Sequence, residues 1–312
     1  MWPFTGGVSF TASDIPSLDG KVIFVTGGNS GLGKQSVLEL ARRGPKEIWL
    51  TSRSAEKADQ AIEDIKKVVP DANLKSLSLD LTSLESVKEA ARIFNQSSAR
   101  LDILLLNAGC MAAPAELTKD GYELQFGTNH MGHALLTKLL TPVLDRTAAE
   151  PDSDVRVVVL TSVGAAVTIA GGIKFESLKT KAEDMTTWYR YGQSKLANAL
   201  FARQLAKEHS SWTTAAVHPG LINTNLGHYL GDWHWVMKRL LPFGGYFLST
   251  VETGTRNQLW AATAPREGIK TGEAYYPVGD LTTAKRTLYY NNDALAQKLW
   301  DWTEEELRGH VA

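Results

Sequence analysis

Short apolar runs alternate along the chain with longer stretches in which apolar residues recur every three or four positions. The runs KVIFVT (21–26), EIWLTS (47–52), LKSLSL (74–79), ILLLN (103–107), RVVVLTS (156–162), TTAAVH (213–218) and GEAYYP (272–277) read as strands. The stretches at 32–43, 55–69, 83–96, 119–145, 187–209, 250–264 and 293–308 carry the helical period. Most of the strands are apolar nearly throughout rather than at every second position, the signature of strands covered on both faces. Their alternation with helices predicts an α/β chain: a single-domain Rossmann fold, with a seven-stranded doubly wound parallel sheet and helices on both faces. Residues 1–19 are expected to form an N-terminal extension and residues 20–312 one domain. No linker rich in Pro, Gly or Ser divides it.

Composition narrows the function classes. Hydrophobic residues are 43% of the 312, enough for a large core. With 33 basic against 34 acidic side chains and no long basic run, nucleic acid is not an expected partner. One cysteine, Cys110, excludes an internal disulfide and fits a reducing compartment. The start of the chain lacks the charged and apolar regions of a secretory signal. No apolar run reaches the roughly 20 residues of a membrane span. A soluble cytoplasmic protein is expected.

The stretch TGGNSGLGK, from Thr26 to Lys34, follows the first strand and opens the first helix. Backbone N–H groups and the helix dipole can hold a phosphate at such a place. A mononucleotide loop, GxxxxGK[ST], would use Gly28, Gly33 and Lys34 but lacks a hydroxyl at Gln35. A GxGxxG dinucleotide motif is not in register either, because the glycines are Gly27, Gly31 and Gly33. The pattern as it stands is TGxxxGxG. It favours a diphosphate, with Gly31 admitting close backbone approach and Gly33 letting helix and strand pack. On this stretch alone, a plain strand–helix turn stays open.

TGxxxGxG resembles the glycine motif of the short-chain dehydrogenase/reductase superfamily, and the resemblance extends from about residue 20 to 280. Asn107-Ala108-Gly109 resembles the family's NAG element, and Asn129, in FGTNHMGHALLT, its helix asparagine. Ser162 is similar to the catalytic serine. Tyr191-Gly192-Gln193-Ser194-Lys195 matches YxxxK, and Pro219-Gly220 with Thr224 matches the motif after the sixth strand. The wording of NHMGH, YGQSKLANALF and KLWDWTEEEL is most similar to retinol-dehydrogenase-like and fungal members. The resemblance implies catalytic Asn129, Ser162, Tyr191 and Lys195. It implies a nicotinamide dinucleotide held by Gly27, Asn29, Ser30, Gly31, Leu32, Gly33, Asp80, Leu81, Asn107, Ala108, Gly109, Tyr191, Lys195, Pro219, Gly220, Ile222 and Thr224. Ser162 and Tyr191 lie 29 positions apart (191 − 162), farther than in many members, so an insert is expected over the substrate side.

These residue types suit the chemistry. Tyr191 and Lys195 stand at i and i+4, on one helical face. A phenol has a pKa near ~10 and a neighbouring ammonium should lower it. Tyr191 could then exchange a proton with a carbonyl or alcohol oxygen while Ser162 holds that oxygen. The resemblance assigns Lys195 to the nicotinamide ribose and Asn129 to a water beside Lys195. Tyr189 is excluded as the acid because Lys195 would lie at i+6, off its face. His130 and His133 have no cysteine or carboxylate set near them in sequence, so no metal is expected.

The second strand ends Leu50-Thr51-Ser52-Arg53, with no carboxylate to bind a ribose 2′-hydroxyl. Arg53 could pair with a 2′-phosphate, which predicts NADP(H); NAD on the same fold is the alternative. Asp80 resembles the residue that meets the adenine, with a helix N-cap as its alternative. The apolar segment 226–248, with Trp233, Trp235, Met237, Leu240, Leu241 and Phe243, is read as a substrate lid. An oligomer or core contact and a membrane-surface contact are its other readings. Trp188, Met111 and Val163 are expected to line the same pocket. The expectation is an NADP(H)-dependent interconversion of carbonyl and alcohol on a lipophilic small molecule, in a homodimer or homotetramer. The rival is a nucleotide-sensing regulator without catalysis.

Overall fold

The computed structural model describes residues 7–222, 249–284 and 287–311. Its core is one parallel sheet of seven strands: β1 (Val22–Val25), β2 (Glu47–Ser52), β3 (Leu74–Ser78), β4 (Ile103–Leu106), β5 (Arg156–Leu160), β6 (Thr213–Val217) and β7 (Glu273–Tyr275). They lie in the order β3-β2-β1-β4-β5-β6-β7, every pairing parallel. The helices that cover it are α1 (Gly31–Ala41), α2 (Ala55–Lys66), α3 (Leu84–Ser97), α4 (Gly132–Ala148), α5 (Thr187–Glu208), α6 (Val251–Thr263) and α7 (Asp293–Leu307). This is the doubly wound Rossmann architecture.

The apolar strands are explained by two separate cores. Successive side chains of a strand point to opposite faces. Val22, Phe24, Leu104, Leu106, Val157 and Val159 enter one core, with α3, α4 and α5 above them. Ile23, Val25, Ile103, Leu105, Val158 and Leu160 enter the other, under α1, α2 and α6. The edge strand β3 is less covered, with Leu74 and Leu77 buried in opposite cores and Ser76 and Ser78 exposed. Side-chain oxygens start most of the helices: Ser54, Ser83, Thr186, Thr250 and Asn292 each accept an N–H from the first turn. The N-terminal extension packs on the second core through Phe10, Ile15 and Leu18, and Val8 N–H donates to the Val278 carbonyl at 2.8 Å.

The helix expected over 119–145 differs most. Gly121, at φ 83°, turns the chain just after Lys119, and the Tyr122 carbonyl accepts the Thr118 N–H at 2.8 Å. Helix begins only at Leu124–Phe126, widens into a π-turn at Gly127–Met131 and continues as α4. The π-turn holds Asn129. The fifth strand ends at Leu160 rather than at Ser162, whose side chain starts a 3₁₀ turn at Val163–Ala166. The order of the sheet reverses between β1 and β4, and a crevice opens where their C-terminal ends diverge.

Candidate active site

The crevice is built on Thr26, the residue after β1. Its Oγ1 accepts the N–H groups of Asn107 and Ala108, each at 2.9 Å, and its carbonyl accepts Asn107 Nδ2 at 2.9 Å. The ends of β1 and β4 are thereby locked together. Behind them, His133 Nδ1 lies 3.0 Å from the Asn129 carbonyl and Nε2 lies 3.0 Å from Thr26 Oγ1. A carbonyl only accepts, so Nδ1 carries the proton and Nε2 accepts from Thr26. Burial pushes the His133 pKa down to about 3, keeping the ring neutral. His130 is also buried, with Nε2 at 3.1 Å from Thr303 Oγ1.

The glycine loop has the shape a diphosphate needs. Gly31 sits at φ 50°, and a Cβ there would meet nothing within 4 Å, so the backbone is open to approach. Gly33 is the reverse: a Cβ would stand 2.2 Å from the Gly27 carbonyl oxygen and 2.6 Å from Asn107 Nδ2. Gly27, at φ 65°, packs on Ala108, where a Cβ would meet Ala108 Cβ at 3.1 Å. Ser30 occupies the N-cap of α1, yet its side chain makes no cap bond. The first amides of α1 are therefore left for an anion. Asn107 Oδ1 is buried without a partner among the described residues. These features fit a nicotinamide dinucleotide, with Asn29 and Leu32 completing the loop. They do not fit a mononucleotide cradle, since Lys34 Nζ is engaged by Asp64 at 2.7 Å.

Around the adenine end, Arg53 is exposed at the tip of β2 and has no carboxylate partner among the described residues. Asp80 accepts from Thr82 N at 3.0 Å, Thr82 Oγ1 at 2.7 Å and Lys119 Nζ at 3.1 Å. The N-cap alternative for Asp80 does not hold: Ser83 caps α3. Leu81 is buried against Gly132, where a Cβ would stand 2.7 Å from the Leu81 carbonyl oxygen. At the far side, Gly220 follows Pro219 at φ 94°. Ile222 pairs with Ser249 in an isolated parallel bridge and reaches Gly254, at the start of α6. Thr224 and the segment 226–248 lie outside the described residues.

Asn129, Ser162, Tyr191 and Lys195 converge at the mouth of this crevice. Asn129 Oδ1 accepts Cys110 N at 2.8 Å, and Nδ2 donates to the Cys110 carbonyl at 3.0 Å and to Ser194 Oγ at 2.9 Å. Gly109 lies against both Asn129 and Lys195: a Cβ there would stand 2.7 Å from Asn129 Oδ1 and 3.3 Å from Lys195 Nζ. Lys195 Nζ donates to the Leu160 carbonyl at 3.2 Å and stands 6.0 Å from the centre of the Tyr191 ring. Thr161 Oγ1 donates to the Lys195 carbonyl at 2.7 Å, tying the end of β5 to α5. Ser162 Oγ accepts Gly164 N–H at 3.0 Å, and Gly164 lies between it and the Tyr191 ring, where a Cβ would stand 3.4 Å from Ser162 Oγ. Two glycines that the motif reading passed over make this fit. A Cβ on Gly164 would stand 2.8 Å from Tyr191 Cε1, and one on Gly192 would stand 1.9 Å from the Val167 carbonyl oxygen.

The electrostatics correct one expectation. Tyr191 is not lowered by Lys195; burial pushes its pKa up to about 12, and the nearby Ser162 hydroxyl opposes only part of the rise. Burial also brings Lys195 down to about 8 and raises the Cys110 thiol to about 11. For Tyr191 and Lys195 alike, desolvation is the largest cause of the shift. At neutral pH the phenol is protonated.

The insert between Ser162 and Tyr191 is fastened by Arg190, the neighbour of the candidate acid. Its guanidinium donates to the carbonyls of Met185 at 2.6 Å and Ala113 at 3.0 Å, and pairs with the buried Glu123 at 3.3 Å. Of the expected pocket residues, Val163 packs on the core, Met111 is half-buried and Trp188 remains 45% exposed. No helix among the described residues is long and apolar enough to cross a membrane.

A family model described as short chain dehydrogenase matches residues 21–235. The chain is 38% identical over 307 residues to short-chain dehydrogenase/reductase drtF of Aspergillus calidoustus, covering 94% of this chain and 96% of that protein. It is 42% identical over 229 residues to human retinol dehydrogenase 13, covering 73% of this chain and 66% of that one. Among solved structures it resembles a putative uncharacterized protein from Mycobacterium paratuberculosis, with a TM-score of 0.74, 30% identity and coverage of 96% and 98%.

Proposed function

The chain belongs to the short-chain dehydrogenase family, and on that premise we propose that it is an NADP(H)-dependent oxidoreductase interconverting a carbonyl and an alcohol on a lipophilic small molecule. Family membership carries oxidoreductase activity with a nicotinamide cofactor. The convergence of Ser162, Tyr191 and Lys195 on one face of the crevice carries the assignment of roles. The bound nicotinamide would supply or accept the hydride. The Tyr191 hydroxyl is the proton donor to the carbonyl oxygen, and its protonated state is the one reduction requires. Ser162 Oγ holds the same oxygen and orients it toward the phenol. Lys195, held by the Leu160 carbonyl, would bind the nicotinamide ribose. Asn129 holds the Cys110 backbone and Ser194 and so shapes the floor beneath Lys195.

The glycine loop, with Asn107 and Ala108 behind it, would seat the diphosphate; Arg53, exposed and unpaired among the described residues, supports a 2′-phosphate and hence NADP(H). Lipophilic substrates are supported by the apolar composition of residues 226–248 and by the half-exposed Trp188, three residues before Tyr191 on α5.

The test is NADPH oxidation with a panel of hydrophobic aldehydes and ketones. Tyr191→Phe should lose at least ~10²-fold in kcat and still bind NADPH, followed by fluorescence. Equal rates for the two proteins would remove Tyr191 from the mechanism.

A further inference from the structure

We propose that His218 and Tyr290 together clamp the peptide group between Ser162 and Val163, and that this clamp sets the position of the Ser162 hydroxyl. Both ends of that one peptide group are held by buried side chains. Its carbonyl accepts the Tyr290 hydroxyl at 3.0 Å. Its N–H donates to His218 Nδ1 at 3.3 Å. His218 follows β6, and Tyr290 lies in the segment before α7, 55 and 128 positions away in sequence from the groups they hold. His218 is 2% exposed and Tyr290 4%, so both holding side chains are fixed by the surrounding packing.

The chemistry of each arm is defined. An imidazole nitrogen that accepts an amide must be unprotonated, so the His218 proton sits on Nε2. Burial holds that ring neutral, well below the usual histidine range. The Tyr290 hydroxyl has one proton, directed at the Ser162 carbonyl, with Thr161 Oγ1 beside it at 3.3 Å. The two arms also brace each other. The Tyr276 ring stands edge-on to His218 at 5.1 Å, and its hydroxyl lies 3.0 Å from Thr287 Oγ1, three residues before Tyr290. Tyr289 accepts the Gly171 N–H at 2.9 Å, so the same segment also pins the insert over the site.

A peptide plane fixed at both ends fixes the backbone of the residue before it. Ser162 is held at φ −155° and ψ 153°, and Gly164 N–H then selects the direction of its Oγ. A hydroxyl that must touch a reacting oxygen needs such placement, because displacement by about 1 Å can cost ~10²-fold in rate. His218 and Tyr290 are thus positioning residues acting through Ser162. The inference rests on the role proposed for Ser162, and the experiment separates the two.

Tyr290→Phe removes only the donor hydroxyl. In the otherwise wild-type protein it should lower kcat about 10-fold with the KM for NADPH unchanged, and in a Ser162→Ala background it should cost nothing further. His218→Asn, which keeps an acceptor in the place of Nδ1, should retain most of the turnover that His218→Leu loses. A second measurement needs no turnover: the ¹³Cζ resonance of Tyr191, assigned by its loss in Tyr191→Phe. Ser162→Ala should shift it by removing the hydroxyl that lies across Gly164 from the Tyr191 ring. Tyr290→Phe should shift it the same way, and the double variant no more than Ser162→Ala alone. Equal kcat losses in both backgrounds, or a Tyr191 resonance unmoved by Tyr290→Phe, would overturn the clamp. If Ser162→Ala leaves turnover intact, the proposed role of Ser162 falls, and the resonance alone decides the clamp.

Discussion

Replacing Lys195 with methionine should stabilise the folded protein at neutral pH while abolishing turnover. The side chain is buried and its ammonium is disfavoured there, with a pKa near about 8 against an ordinary 10.5. At ~1.4 kcal/mol per pKa unit, holding the charge inside the fold costs roughly 3 kcal/mol. Methionine has a similar volume and no charge. The substitution also removes the hydrogen bond from Nζ to the Leu160 carbonyl, worth about 1 kcal/mol. That carbonyl keeps Asn198 Nδ2 at 2.9 Å, so it is not orphaned. The net gain is about 2 kcal/mol. With an unfolding entropy of about 2 cal/mol/K per residue, a chain of 312 residues should melt roughly 3 °C higher.

The pH dependence follows from the sign of the shift. Below pH 8 the lysine is charged in both states and the full cost is present. Between about 8 and 10.5 the unfolded chain binds a proton that the folded one does not, so wild-type stability rises with pH. The advantage of Lys195→Met should therefore be complete at about pH 7 and nearly gone at about pH 9.5. Urea denaturation of both proteins at the two pH values measures it. A variant less stable than wild type at neutral pH, or a difference that does not change with pH, would refute the argument that burial dominates at this site.

Three further outcomes follow from the geometry. Gly192→Ala would place a methyl 1.9 Å from the Val167 carbonyl oxygen; the turn after Ser162 must move, and calorimetry should show a loss of about 1–3 kcal/mol together with reduced kcat. Arg53→Asp should shift the ratio of kcat/KM for NADPH over NADH toward NADH by ~10–100-fold, the size of one lost charge-assisted contact, and an unchanged ratio in steady-state kinetics would reject Arg53 as the phosphate ligand. Arg190→Met leaves Glu123 buried without its cation and should cost ~3–5 kcal/mol in urea unfolding; adding Glu123→Gln should return part of that loss.

Much of the site was legible because its chemistry is local in sequence. TGxxxGxG leaves a plain turn open by its spacing and is marked by the family resemblance; the open backbone at Gly31 and the close contact at Gly33 give its physical reason. Tyr191 and Lys195 are marked by the family resemblance, and the i, i+4 relation explains how one helix presents both. A glycine within that helix, Gly192, carried a signal that periodicity did not explain; its reason lies in a turn 25 residues earlier (192 − 167), against which the helix presses. His133 was legible only as a histidine without metal partners, because its contacts, to the Asn129 carbonyl and Thr26, come together through the π-turn and the meeting of β1 with β4. Tyr290 and His218 left no mark in the pattern at all.

By itself, the sequence determined the alternation of strand and helix, the two-sided burial of the strands and the identity of the groups that meet at the crevice. These depend on the covalent order of side chains and on the 2.0 and 3.6 periods of the backbone. The tertiary structure alone decided the protonation of those groups and the partners that hold them. Tyr191 lies at about 12 rather than below 10 because desolvation depends on the whole surrounding fold. The Ser162 peptide is gripped by residues 55 and 128 positions removed because only the packed sheet and its C-terminal segment bring them within hydrogen-bond reach.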